Sequence, residues 1–155
     1  MSDDELKKML DAALNQVASR DSTENAAKKK LEADMKASGV QLKERVLPRL
    51  RAAQEAWKGK LKLDIVDDSA KFAAGANGRT TNPSITATAV GVEPAGFVFV
   101  THYPGHASIQ VGAGLNRGSQ AHDFRISKID DLTDGLIDQV LQSILDIALG
   151  LKKRH

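Results

Sequence analysis

The chain has 155 residues, of which 41% are apolar and 27% charged, with a net charge of +2. That is the size of one compact domain, or a small domain with an appendage, in an ordinary soluble composition. Cysteine is absent, which excludes disulfides, thiolate metal sites and cysteine nucleophiles.

The opening "MSDDELKK" is acidic and polar where a secretory signal would be basic and then apolar. No run approaches the ~20 apolar residues that cross a bilayer, so a cytoplasmic protein without membrane contact is expected. "SDDE" is a capping box, with Ser2 and Glu5 each able to satisfy the other's backbone N–H. Behind it Leu6, Met9, Leu10, Ala13, Leu14 and Val17 recur at helical spacing. "SRDSTEN" (19–25) reads as a break, with Ser22 or Thr23 capping a second helix. Beyond it Leu31, Leu42 and Ala53 fall eleven apart, as do Met35, Val46 and Trp57. Eleven residues make almost three whole turns, so one apolar stripe stays on one face. Gly39 and Pro48 interrupt this pattern, and Ser38-Gly39 is the expected hinge. Residues 1–58 therefore read as a helical arm of two or three segments.

Charge in the arm is mixed: twelve Lys/Arg against ten Asp/Glu, with ten of each in 59–155. Lys28, Lys29 and Lys30, and then Lys43, Arg45, Arg49 and Arg51, are interspersed with acids. A solvated helix face accounts for them better than a nucleic-acid surface, which concentrates its cations.

From Lys60 the period changes to two. In "KLKLDIV", Leu61, Leu63 and Ile65 alternate with polar residues, a strand with one covered face. "GANGRTT" holds Asn77-Gly78, a type I′ hairpin signal, and a turn there pairs Ile65 with Val90 and Leu63 with Val92. Pro83 predicts a bulge or an edge position. "FVFV" (97–100) is apolar on both faces, so a helix or another subunit is expected on each side of the sheet. "ASIQVGA" and "AHDFRIS" complete an antiparallel meander of about five strands. The last helix, from Asp134, has an apolar arc wider than one sheet requires, implying a second contact with the arm or another subunit. Acids at its start and "KKRH" at its end suit the helix dipole. The residues thus specify an α+β fold, with a domain division at 58/59.

Four histidines invite a search for a site. In "THYPGH", a two-residue loop pairs Tyr103 with His106, and a three-residue loop puts His106 in the loop itself. Neither arrangement converges the two imidazoles, and Pro104-Gly105 rules out a helical two-histidine ligand pair. No metal and no cofactor are expected. The loops "GANGRTTN" (75–82) and "GAGLNRGS" (112–119) lack the Gly-Lys-Ser/Thr ending and a following helix, so turn geometry explains them. No catalytic carboxylate pair or serine triad stands out.

The expected function is accordingly a non-enzymatic binding or assembly protein that self-associates through helix surface. Leu42, Val46, Leu50, Trp57, Tyr103 and His106 are the candidate partner contacts. The alternative is a small-ligand protein or hydrolase with a pocket between sheet and helix, lined by Phe97, Phe99, His102, His122 and Arg125. A third reading is weak nucleic-acid binding through the basic residues of the arm.

Overall fold

A computed structural model describes residues 2–74, 80–91, 95–102, 106–112 and 122–151. Helix α1 (Asp3–Trp57) is followed by strands β1 (Lys62–Asp68), β2 (Ala73–Ala74), β3 (Thr80–Thr81), β4 (Ser84–Val90), β5 (Ala95–His102), β6 (His106–Gly112) and β7 (His122–Ile126). A 3₁₀ turn (Ile129–Asp131) leads to helix α2 (Asp134–Ala148). Five strands form an antiparallel sheet in the order β1-β4-β5-β6-β7, and β2 and β3 make a separate two-stranded ribbon. The fold is α+β, and α2 packs on the sheet as its apolar arc requires.

The arm departs from expectation in being one helix of 55 residues, about 82 Å long. Its start is the expected capping box, with Glu5 N donating to Ser2 Oγ at 3.3 Å and Ser2 N donating to Glu5 at 3.3 Å. None of the three expected interruptions breaks it. The Thr23 hydroxyl turns back to the Ser19 carbonyl at 3.0 Å, a bond that accommodates threonine inside a helix instead of capping a new one. Gly39 is buried where α1 crosses the β1–β2 connection. A Cβ there would collide with the carbonyl oxygen of Ser69, so this glycine permits close approach and is no hinge. Pro48 is exposed, while Val46, Leu47 and Leu50 around it are buried. Packing on both flanks carries the helix past the hydrogen bond that proline removes.

Both helices lie on the same face of the sheet. Leu42, Val46 and Leu50 of α1 and Ile137, Val140 and Ile144 of α2 share one core with Leu63, Ile85, Phe97, Phe99, Ile109 and Val111. The second contact implied by the wide arc of α2 is therefore α1. Arg49 and Asp138 join the helices, and Leu141 and Leu145 border the groove between them. Thr133 caps α2 by accepting from Leu136 N at 3.3 Å.

No helix among the described residues covers the other face, so α1 is not the covering layer that "FVFV" allowed there. Val98 sits between Thr86 and Gln110, and Val100 between Ser84 and Ser108. These neighbours leave the valines half-buried without a covering layer.

The β1–β4 register also differs from expectation: Ile65 faces Ala87 and Leu63 faces Ala89. Asn77-Gly78 lies outside the described residues. Four residues separate β1 from β2 while two separate β3 from β4. That unequal break, on the side holding Pro83, resets the pairing between the ribbon and the sheet. Pro83 still contributes its carbonyl, which accepts from Thr101 N at 3.1 Å.

Candidate functional site

The β5–β6 pairing places His102 directly opposite His106, so residues 103–105 connect them and the two imidazoles share the outer face. Both loop geometries read from the sequence are thereby corrected. Tyr103 and the two glycine-rich segments 75–79 and 113–119 lie outside the described residues. Next along the same face are Ser108 and, on β7, its cross-strand partner Arg125. His102 Nε2 stands 2.9 Å from Ser108 Oγ, and the Asn82 side-chain nitrogen lies 3.4 Å from His102 Nδ1. His106 Nδ1 donates to the Ser127 carbonyl at 2.6 Å, which fixes the proton on that nitrogen in neutral imidazole. His102, His106, Ser108, Gln110, Arg125 and Ser127 border an open depression of about 450 Å³.

The pocket expected between sheet and helix does not assemble. Phe97 and Phe99 are fully buried on the inner face, with ring centroids 6.5 Å apart. His102 is an odd number of residues from both, and strand alternation sends it to the opposite face. His122 takes the register position opposite Val111, out of phase with Arg125. Phe97 and Phe99 are thus on one face and His102 and Arg125 on the other. Asn82, Ser108 and Ser127 are the neighbours that sequence reasoning missed. The signal for Ser108 is strand parity, which acquires meaning once the register is known; Asn82 and Ser127 lie just outside β4 and β7.

The candidate partner contacts also need correction. Leu42, Val46 and Leu50 are fully buried in the chain's own core, and Trp57 packs half-buried against it. Leu42, Val46 and Leu50 are unavailable to another molecule because α1 folds back on the sheet. His106 remains exposed. Three basic side chains of this half are engaged internally: Lys43 with Asp67 at 3.6 Å, Arg45 with Asp130 at 2.8 Å and Arg49 with Asp138 at 2.6 Å. Arg49 and Asp138 meet as a bidentate pair, with a second contact of 2.7 Å. The hydrogen bond from Arg49 holds the Asp138 carboxyl below its usual range.

What remains free is the other half of α1. Every residue from Asp3 to Lys30 is exposed, 28 in succession and about 42 Å of helix. Leu6, Met9, Leu10, Leu14 and Val17 form a stripe along it, each between 44% and 59% exposed. Comparisons with protein-family models, curated proteins and solved structures return no match, so geometry alone carries the functional reading.

Proposed function

We propose that this chain is a non-enzymatic assembly protein that self-associates through the projecting half of α1. The observation that carries the reading is the apolar stripe Leu6–Val17 on 28 exposed helical residues. In proteins, helix stability comes largely from packing an amphipathic face, and this segment packs against nothing in its own chain. Covering a half-exposed large apolar side chain contributes about 1 kcal/mol, half the value for full burial. Ten such side chains from two copies give ~10 kcal/mol, within the 4–15 kcal/mol cost of association. The assembly is therefore concentration-dependent. Sedimentation equilibrium from micromolar to millimolar protein tests it: the expected result is a rising average mass, abolished by Leu10→Glu with Leu14→Glu. A monomer throughout that range overturns the reading.

A second reading, an ester-hydrolysing site on the outer face, is favoured by the chain Asn82–His102–Ser108. It has the order of orienting group, base and nucleophile. In that role Ser108 Oγ attacks the ester carbonyl, and His102 Nε2 takes its proton and returns it to the leaving alcohol. Water then releases the acyl group. Two features weigh against it. The Asn82 amide directs its N–H at Nδ1, which sets the His102 proton on Nε2, the wrong side for a base until the amide rotates. Arg125, opposite Ser108 on β7, is an exposed side chain and not a fixed oxyanion donor, and the depression is open to water. Turnover of p-nitrophenyl acetate that falls at least tenfold in Ser108→Ala supports this reading, and equal rates overturn it.

A further inference from the structure

We infer that the occupant of the free stripe is a second copy of the same helix running antiparallel, with the two sheet-bearing parts at opposite ends of the pair. The inference rests on the self-association proposed above. Its first support is the direction in which the stripe faces. Thirty-six residues make ten whole helical turns. Leu6, Leu10, Leu14 and Val17 stand thirty-six residues before Leu42, Val46, Leu50 and Ala53, all four of which are buried on the sheet side. The free stripe therefore faces the same side of the helix as the chain's own sheet.

That coincidence forbids a parallel pair. Paired helices lie about 8–10 Å apart. If two copies ran parallel and in register, each sheet would have to occupy the space of the partner's helix. Antiparallel pairing centred between residues 11 and 12 avoids this. Residue 3 of the partner then lies level with residue 20. The first buried residue, Met35, is 35 − 20 = 15 residues further on, roughly 22 Å away. The sheets lie beyond the two ends of the overlap and do not meet.

The second support is self-complementarity. About a two-fold axis at that centre, Leu6 meets Val17, Leu10 meets Leu14 and Met9 meets Ala13, with residue numbers summing to 23, 24 and 22. At 100° per residue, the members of each pair fall on the same flank of the contact. The long Met9 faces the small Ala13, as an isologous interface requires. Arg20 comes nearly level with the partner's Glu5, on the flank of Met9, so opposite charges border the apolar seam. In a parallel pair the two copies of Met9, and of Arg20, lie level but on opposite flanks, so neither the fit of Met9 to Ala13 nor the approach of Arg20 to Glu5 forms. The overlap, residues 3–20, is smaller than the ~20–30 residues a side of a standard interface, which fits concentration-dependent pairing.

The absence of cysteine makes the orientation measurable. Leu6→Cys and Val17→Cys chains carrying different tags are mixed and oxidised, with circular dichroism confirming unchanged helix content. The expected product is the disulfide-linked Leu6→Cys/Val17→Cys heterodimer, at the expense of both homodimers. Adding Leu10→Glu to both chains should remove it. Predominant homodimers mean parallel pairing and overturn the inference. A dimer in sedimentation that yields no cross-link also overturns it, while leaving self-association standing. A monomer at every concentration removes the self-association reading itself, and this inference with it.

Discussion

Residues 3–30 and 31–57 of α1 carry apolar side chains at the same helical spacing, yet the first stretch buries none of them and the second buries Met35, Leu42, Val46, Leu47, Leu50 and Ala53 together with Gly39. The periodicity specifies which side of the helix is apolar; the sheet beneath decides which half is covered. Leu14 and Leu50, ten turns apart, make a matched pair for testing that division. Leu50→Ala should cost about 2–5 kcal/mol in urea unfolding, the lost transfer energy plus a cavity. Leu14→Ala should leave unfolding of the monomer within about 0.5 kcal/mol and weaken association instead. Similar costs at the two positions would abolish the distinction between docked and free halves.

Glycine sharpens the same comparison at the next level of effect. Helix propensity alone predicts that Gly→Ala stabilises a helix by ~1 kcal/mol. At Gly39 the new methyl must displace the Ser69 carbonyl, backbone that can yield only by moving α1 off the β1–β2 connection. Overpacking of this kind costs about 1–3 kcal/mol, so net destabilisation is expected. Gly135, in the first turn of α2, has open space: the nearest atom to a built Cβ is Thr133 Oγ1 at 3.9 Å. Gly135→Ala should raise the thermal midpoint slightly while Gly39→Ala lowers it. A rise in both would mean that α1 is not held against Ser69 as described.

The strand period, the meander and the cap of α1 were legible because each is written in residues close together in the chain. Ser2 and Glu5 cap each other across three residues, and the alternation Leu61, Leu63, Ile65 needs no distant partner. What failed depended on contacts far apart in sequence. Gly39 resembles a hinge until Ser69 stands against it, and Pro48 resembles a break until Leu47 and Leu50 are seen pinned to the core. The ligand candidates Phe97 and His102 were grouped by proximity in sequence, although strand parity separates them. Conversely, the pairing of His102 with His106 depended on a loop whose length two sequence arguments set differently. The free stripe was visible as helix. Its freedom was not, because a sequence shows an apolar face and not whether anything lies against it.

The smallest expected effect concerns the polar rim of the docked half. Arg49 and Asp138 join α1 to α2 across the surface, whereas the ion pair of the free half joins sequence neighbours, Arg20 and Asp21 at 3.8 Å. The hydrogen bond from Arg49 and its charge lower the Asp138 carboxyl below the ordinary value of about 3.9, outweighing desolvation. A carboxyl lowered on folding contributes stability above its unfolded value and loses it as pH falls through the folded one. Urea midpoints of the wild type and Asp138→Asn should therefore differ at neutral pH and converge below about pH 4. The difference should be small and shrink with salt, since both side chains are exposed. Asp138→Asn should still lose stability in acid. Burial raises the Asp67 carboxyl, but hydrogen bonds from Ser69 and the charge of Lys43 outweigh that and lower it, and Lys43 is likewise on the docked half. If the two curves stay parallel through the acid range, the ion pair does not help hold α1 in place. The difference between the halves would then reside wholly in the buried residues from Met35 to Ala53.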